Sequence, residues 1–194
     1  MNRLESTLNH NDIYLFGPMG SGKTTLVDNL KDSFPESVNY VSIGAIVREK
    51  LAQEDAEATR IIESGKKIPL SYVAAIINPH ISTERSYILD GVPRHIDEAE
   101  WIKIHIDQRE MGALAVILSA NTNVLLQRIY DRAKNGDRKE TPERIRNRLS
   151  VYQDNINKII DIIEPSLDEI IEIDATVSSE AVYAKAKHEL ETLS

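Results

Sequence analysis

The segment YLFGPMGSGKTTL, Tyr14 to Leu26, limits the possible fold more than any other stretch of this chain. A short apolar run leads into a loop with Gly17, Gly20 and Gly22, and Lys23, Thr24 and Thr25 follow at once. Gly17, Gly22, Lys23 and Thr24 satisfy the spacing G-x-x-x-x-G-K-[ST], in the required context of a strand before and a helix after. Bare glycines let successive amides turn inward around phosphate oxygens, and the helix N-terminus adds its partial positive charge. Gly17, Gly20, Ser21, Gly22, Lys23, Thr24 and Thr25 are therefore expected to hold the phosphates of a nucleotide. Lys23 would bridge the outer phosphates, and the Thr24 hydroxyl would reach a magnesium shell. The competing reading, a glycine-rich turn with a solvated lysine, leaves unexplained why strand, spacing, lysine and hydroxyl fall in register.

Short apolar runs alternate with longer amphipathic stretches along the rest of the chain, which predicts a parallel sheet covered by helices on both faces. Strands are expected at Ile13 to Phe16, Tyr40 to Ser42, Tyr87 to Leu89, Ala113 to Leu118 and Ile170 to Ile173. Helices are expected from Lys23 to Leu30, Ile43 to Ala52, Ala56 to Glu63, Ser71 to Ile77, Ile96 to Ile106, Thr122 to Ala133, Pro142 to Glu164 and Ser179 to Leu193. Thr141, Pro142 and Glu143 read as an N-cap, a first-turn proline and a first-turn acid. The polar lead-in before Ile13 is assigned no element. With 194 residues, the chain has room for one core with an inserted lid, so residues 1–194 are read as one domain.

Net charge is -8, from 23 basic and 31 acidic residues, so a broad attraction to nucleic acid or anionic lipid is not expected and any basic site must be local. There is no cysteine, no apolar signal-peptide core and no run long enough to span a membrane, which together suggest a cytoplasmic protein; it is expected to act as a monomer. The five histidines are scattered without paired ligand spacing.

The other informative stretch is YILDGVPRHIDEAEW, Tyr87 to Trp101. Asp90 ends an apolar strand where it can hold the water shell of a magnesium ion. Gly91 permits close backbone approach, and Arg94 behind Pro93 offers a planar donor fork to an anion. With the phosphate loop, this stretch resembles the adenylate kinase family of nucleoside monophosphate kinases, whose members carry D-G-[FY]-P-R here; Val92 replaces the aromatic.

The resemblance runs over nearly the whole chain from Ile13. It implies an α/β fold, a three-layer sandwich of the P-loop NTPase type, with a five-stranded parallel sheet. A helical acceptor-binding insertion is expected over residues 43–77 and a short lid over residues 133–141. VSIGAIVREK, Val41 to Lys50, is similar to the family's S-T-G-D-x-x-R segment, which would make Arg48 a ligand of the acceptor phosphate and Gly44 a close-approach position. GKKIPLSYV, Gly65 to Val73, is similar to G-K-x-V-P, with the backbone near Ile68 lining the acceptor base. Arg128 and Arg132 match the arginines that begin the lid, one over the donor adenine and one on phosphate; Arg138 and Arg148 match the lid arginine and the arginine of the following helix.

The arginines also make sense without the family. Arg128 and Arg132 share a helix face at i,i+4, as do Arg144 and Arg148, and like charges so placed repel unless an anion lies between them. Arg144 and Arg146 are read as a solvated face, and Arg132, Arg138 and Arg148 as functional. Phosphoryl transfer asks for alignment, charge stabilisation and exclusion of water, and no general base is needed. The expected reaction is reversible transfer from ATP, with magnesium, to a nucleoside monophosphate, and AMP is the first candidate. The lid AKNGDRKET carries no metal-ligand set, as in the small-lid form without zinc.

Several positions depart from the family pattern. Ile43 stands where the family's threonine contacts the nucleotide, Ala45 replaces an aspartate, and Thr24 occupies a position that is usually glycine, so either Thr24 or Thr25 can serve magnesium. Glu98 falls where a glutamine reads adenine; a glutamine both donates and accepts, whereas a carboxylate only accepts. The substitution suits a guanine edge with two donors, or adenine with one bond lost, or a Glu98 that points to solvent. A different acceptor such as GMP therefore stays open, as does a P-loop ATPase or nucleotide-gated binding module on the same scaffold.

Overall fold

The structure is a computed structural model that describes residues 2–53, 56, 59, 67–81, 84–134 and 142–193. Five parallel strands lie in the order β2-β3-β1-β4-β5, where β1 is Asn11–Phe16, β2 Tyr40–Ser42, β3 Ile88–Asp90, β4 Gly112–Ser119 and β5 Glu169–Asp174. The first strand is buried along nearly its whole length, as a strand covered on both faces must be. Pairing of Leu15 with Asp90, and of Ser42 with Asp90, aligns the carboxyl ends of β1, β3 and β2. The chain turns from one half of the sheet to the other at β1, and ligands of such sheets bind beyond the carboxyl ends at that point.

The described helices are α1 (Arg3–His10), α2 (Lys23–Ser33), α3 (Ile43–Ala52), α4 (Leu70–Ile81), α5 (Ile96–Asp107), α6 (Thr122–Lys134), α7 (Pro142–Ile163) and α8 (Ser179–Thr192). On one face of the sheet, Tyr14, Phe16, Val41, Leu89 and Ala115 pack under residues of α3, α4, α5 and α7. On the other, Ile13, Leu15, Ile88, Leu114 and Val116 pack under α1, α2 and α8. These layers are those of the expected three-layer α/β fold. A smaller apolar group joins Leu125 and Ile129 of α6 to Ile145 and Leu149 of α7, with Met19 of the phosphate loop packed against it.

The expected elements are present with small shifts at their ends. α4 runs on through Pro79 to Ile81, since a proline near a helix end forfeits a single hydrogen bond. α7 stops at Ile163 and gives way to a 3-10 turn over Glu164–Ser166 that contains Pro165. Apart from Ala56 and Thr59, which are helical, the helix expected over residues 56–63 lies outside the described residues, as do the Thr141 cap and positions 135–141 of the expected lid.

The lead-in before Ile13, given no element by the sequence reading, forms α1 and the first two residues of β1. Asn2 caps the helix, accepting from the Leu4 amide at 3.1 Å, and Glu5 accepts from the Asn2 amide at 3.4 Å, a capping box. Leu4 and Leu8 are buried, and the Thr7 hydroxyl donates to the Leu190 carbonyl of α8 at 2.8 Å.

Candidate active site

The phosphate loop joins the carboxyl end of β1 to the first turn of α2, and Gly17, Gly20 and Gly22 all have positive φ. Glycine is required at position 17 on space as well as φ: a Cβ there would stand 2.6 Å from Ser21 Oγ and 2.9 Å from the Leu118 carbonyl. Ser21 Oγ, inside the loop, is buried without a hydrogen-bond partner among the described residues, as suits a group that meets an incoming oxygen. The Thr24 side chain is exposed beside the loop, and Thr25 helps line the cavity over it.

Lys23 folds back along the loop, donating to the Gly17 carbonyl at 2.6 Å and the Pro18 carbonyl at 3.3 Å. Its side chain is 17% exposed, and its ammonium lies 3.9 Å from Asp90 Oδ1. Burial lowers its pKa to about 8; Asp90 opposes this, while Arg94, Arg148 and Arg132 push the same way as burial. Arg94 is lowered too, first by the protein crowded around it and then by Arg148, although it stays open to the cleft and remains charged at working pH. Of the five residues expected to act on the transferred group, Lys23, Arg94 and Arg148 line one cleft, Arg132 lines the cavity on the far side of the loop, and Arg138 lies outside the described residues. Cations at this density repel one another until an anion arrives.

Asp90 ends β3 as expected, 8% exposed. Its Oδ2 accepts from the Tyr40 hydroxyl at 2.7 Å, while Oδ1 is buried and has no hydrogen-bond partner among the described residues. A carboxylate with one oxygen anchored and the other unsatisfied at the phosphate loop fits a magnesium water shell, with Thr24 or Thr25 as the neighbouring hydroxyl. Tyr40 lies outside every motif, and nothing in the sequence marks it.

A cavity of about 240 Å³ opens from Gly17 and Lys23 toward Ile43, Ile68, Gly91, Arg94 and Glu98, the expected acceptor residues. Gly44 follows Ile43 of the cavity wall at the start of α3, and Arg48, one turn further on, has Nη1 3.3 Å from where a Cβ at Gly44 would sit. Lys67, in the irregular stretch before α4, pairs with Asp97 at the start of α5, just after the DGVPR turn. Glu98 does not point to solvent. It is 4% exposed, and its Oε2 accepts from the Arg94 backbone amide at 2.6 Å. Burial raises its carboxyl pKa, and the bond from Arg94 only partly offsets this.

A second cavity, about 300 Å³, lies over the far side of the loop, between Gly22, Thr25, Arg128, Arg132, Val177 and Val182. The Arg128 guanidinium is fixed in its wall by the carbonyls of Ala175 at 2.6 Å and Val177 at 3.0 Å. Two cavities therefore meet at one phosphate loop, an arrangement for passing a group between two bound molecules rather than for holding one.

The adenylate kinase family model matches residues 15–167. The chain is 31% identical over 181 residues to the adenylate kinase of Mycobacterium sp. (strain MCS), covering 90% of this chain and 96% of that one. It is 30% identical over 183 residues to the adenylate kinase of Rhodococcus erythropolis, with 90% and 96% covered. Against the adenylate kinase of Xanthomonas oryzae pv. oryzae the identity is 28% over 179 residues, with 82% and 95% covered.

Proposed function

Because the chain belongs to the adenylate kinase family and is an ATP-dependent nucleoside monophosphate kinase, we propose that its acceptor is AMP, so that ATP and AMP give two ADP reversibly. The observation that supports this most directly is the gathering of Lys23, Arg94, Arg132 and Arg148 where two cavities meet. In this reading the loop amides and Lys23 hold the donor's outer phosphates, with Arg128 beside the donor base. Arg48 and Arg94 hold the acceptor phosphate, while Gly44, Ile68, Gly91 and Glu98 shape the space for the acceptor nucleoside. An acceptor phosphate oxygen attacks the γ-phosphorus as the bond to the β,γ-bridging oxygen breaks. Arg132, Arg138 and Arg148 balance the charge that spreads over the moving group.

Magnesium, the family's cofactor, supplies positive charge across the donor phosphates; Asp90 and either Thr24 or Thr25 would hold it here. Residues 43–77 are read as the acceptor-binding insertion and residues 133–141 as the lid that keeps water from the transferred group. We read the protein as acting as a monomer, and the substrates suit a cytoplasmic location. Among the described residues no helix is long and apolar enough to cross a membrane.

A second base preference has an observation in its favour: a buried Glu98 offers the acceptor cavity a carboxyl in place of an amide. Measuring ADP formation from ATP with AMP, GMP, CMP and UMP in parallel tests both readings. AMP is expected to be the best acceptor. A GMP preference would move the base assignment, and ADP formed equally fast without acceptor would identify an ATPase.

A further inference from the structure

We propose that Tyr40 is a positioning residue for the donor half of the reaction, holding Asp90 turned away from Lys23 so that the carboxylate serves magnesium and the ammonium serves phosphate. The inference rests on the reading of Asp90 as the carboxylate that carries the metal's water shell.

Lys23 and Asp90 have opposite charges in a poorly hydrated cleft, and such a pair normally closes to hydrogen-bond contact. Here it does not: the ammonium stops 3.9 Å from Oδ1 and spends its protons on the Gly17 and Pro18 carbonyls. The Tyr40 hydroxyl meets the carboxylate from the other side, on Oδ2 at 2.7 Å, and fixes the rotation of the Asp90 side chain. Sheet register makes this reach possible. Tyr40 pairs with Ile88, two residues before the pairing of Ser42 with Asp90, and side chains two apart on neighbouring strands share a face. Its ring is held independently, with Lys31 Nζ of α2 4.9 Å from the ring centroid. Without the phenol the carboxylate is free to rotate onto Lys23, and the pair would then neutralise itself instead of meeting the donor.

Titration calorimetry with metal-free ATP and with MgATP tests this on wild type, Tyr40→Phe, Asp90→Asn and the double variant. Tyr40→Phe removes one oxygen and keeps the ring. It is expected to reduce the ratio of MgATP affinity to metal-free ATP affinity by about tenfold, the effect of one hydrogen bond to a charged group, while AMP affinity holds. Asp90→Asn should reduce the same ratio, and adding Tyr40→Phe to it should change nothing further, since the phenol acts through that carboxylate. An unchanged ratio in Tyr40→Phe, with Asp90→Asn lowering it, overturns the role of Tyr40 alone. An unchanged ratio in Asp90→Asn overturns the role of Asp90 and this proposal with it.

Discussion

Lys23 Nζ and Asp90 Oδ1 stand 3.9 Å apart, close enough to attract and too far to bond. Burial has already lowered the Lys23 pKa from 10.5 to about 8, so in the nucleotide-free protein its proton is weakly held. Incoming phosphates favour the ammonium, so ATP binding near pH 8 is expected to take up a proton, and ATP affinity should fall as pH rises from 7 toward 9. The linkage to folding has its own sign: the unfolded chain keeps this proton up to 10.5, so without nucleotide this group makes stability rise with pH between about 8 and 10.5. Calorimetry in two buffers of different ionisation enthalpy measures the proton directly. Lys23→Ala should abolish the uptake and cost about a hundredfold or more in turnover, the typical loss of one charge partner in the transition state. Near-normal turnover in that variant would falsify the placement of Lys23 on the transferred phosphates.

Glu98 carries a second pH dependence. Its carboxyl is buried, and burial raises its pKa above the ordinary 4.5, so folding disfavours the ionised form relative to the unfolded chain. That contribution to stability is fully present below 4.5 and is lost as pH rises through the raised folded value. Glu98→Gln, which does not titrate and still accepts from the Arg94 amide, should therefore melt higher than wild type at pH 7 and lose that advantage below pH 4.5. An amide also restores a donor and an acceptor together, so the same variant should raise the AMP-over-GMP ratio of kcat/KM by roughly tenfold. A ratio identical to wild type would remove Glu98 from base recognition.

Much of this architecture was legible in the sequence because its signals are local. The loop from Gly17 to Thr25 and the DGVPR turn are contiguous motifs, and the apolar runs that make β1 and β4 are unbroken because both faces of those strands are covered. What escaped depends on partners distant in sequence. The eight residues of α1 contain Leu4 and Leu8 among polar neighbours, too weak a stripe to show until α8 covers it. Tyr40 and Asp90 are fifty residues apart and meet through strand register alone. Glu98 sits in the acidic run DEAE, which left its side chain open between the acceptor base and solvent; the Arg94 amide, four residues back, turns it inward.

Asp12 and Arg109, 97 residues apart in sequence, meet at the far end of the sheet. Asp12 is 2% exposed, and Arg109 holds it through Nε and through Nη2 at 3.0 Å. The guanidinium also donates to the carbonyls of Ile81 at 3.0 Å and Arg85 at 3.1 Å, and lies 5.0 Å from the Tyr87 ring centroid. Burial pushes the Asp12 pKa up more than Arg109 pulls it down, so this pair is a poor source of net stability and a costly one to break. Arg109→Met leaves the acid buried without its partner and should cost about 3–5 kcal/mol, or ~10 °C in melting temperature. This end of the sheet lies opposite the catalytic cleft, so kcat measured well below the melting temperature should stay within twofold of wild type, roughly. A large kcat loss in folded protein would mean that the pair reaches the active site.

Gly91 links the two halves of the acceptor cavity, and it is where one methyl group should separate acceptor binding from donor binding. Its φ is +92°, and a Cβ built there would lie 2.4 Å from Ile43 Cγ2 and 2.9 Å from Arg94 Nη2. Ile43 is buried at the start of α3 and has little room to yield, whereas the Arg94 side chain opens to the cleft and can swing aside. Gly91→Ala should therefore displace the Arg94 guanidinium from the acceptor phosphate, in addition to a left-handed backbone cost of about 1–2 kcal/mol. The expected signature is an acceptor KM raised about tenfold or more with an ATP KM within about twofold of wild type, since the misplacement falls on one substrate. Adding Ile43→Ala removes the closer contact but leaves both the φ and the Arg94 contact, so it should recover stability more than acceptor KM. If the two KM values rise together, or the double variant restores acceptor binding fully, Arg94 is not held in place by the bare backbone at Gly91.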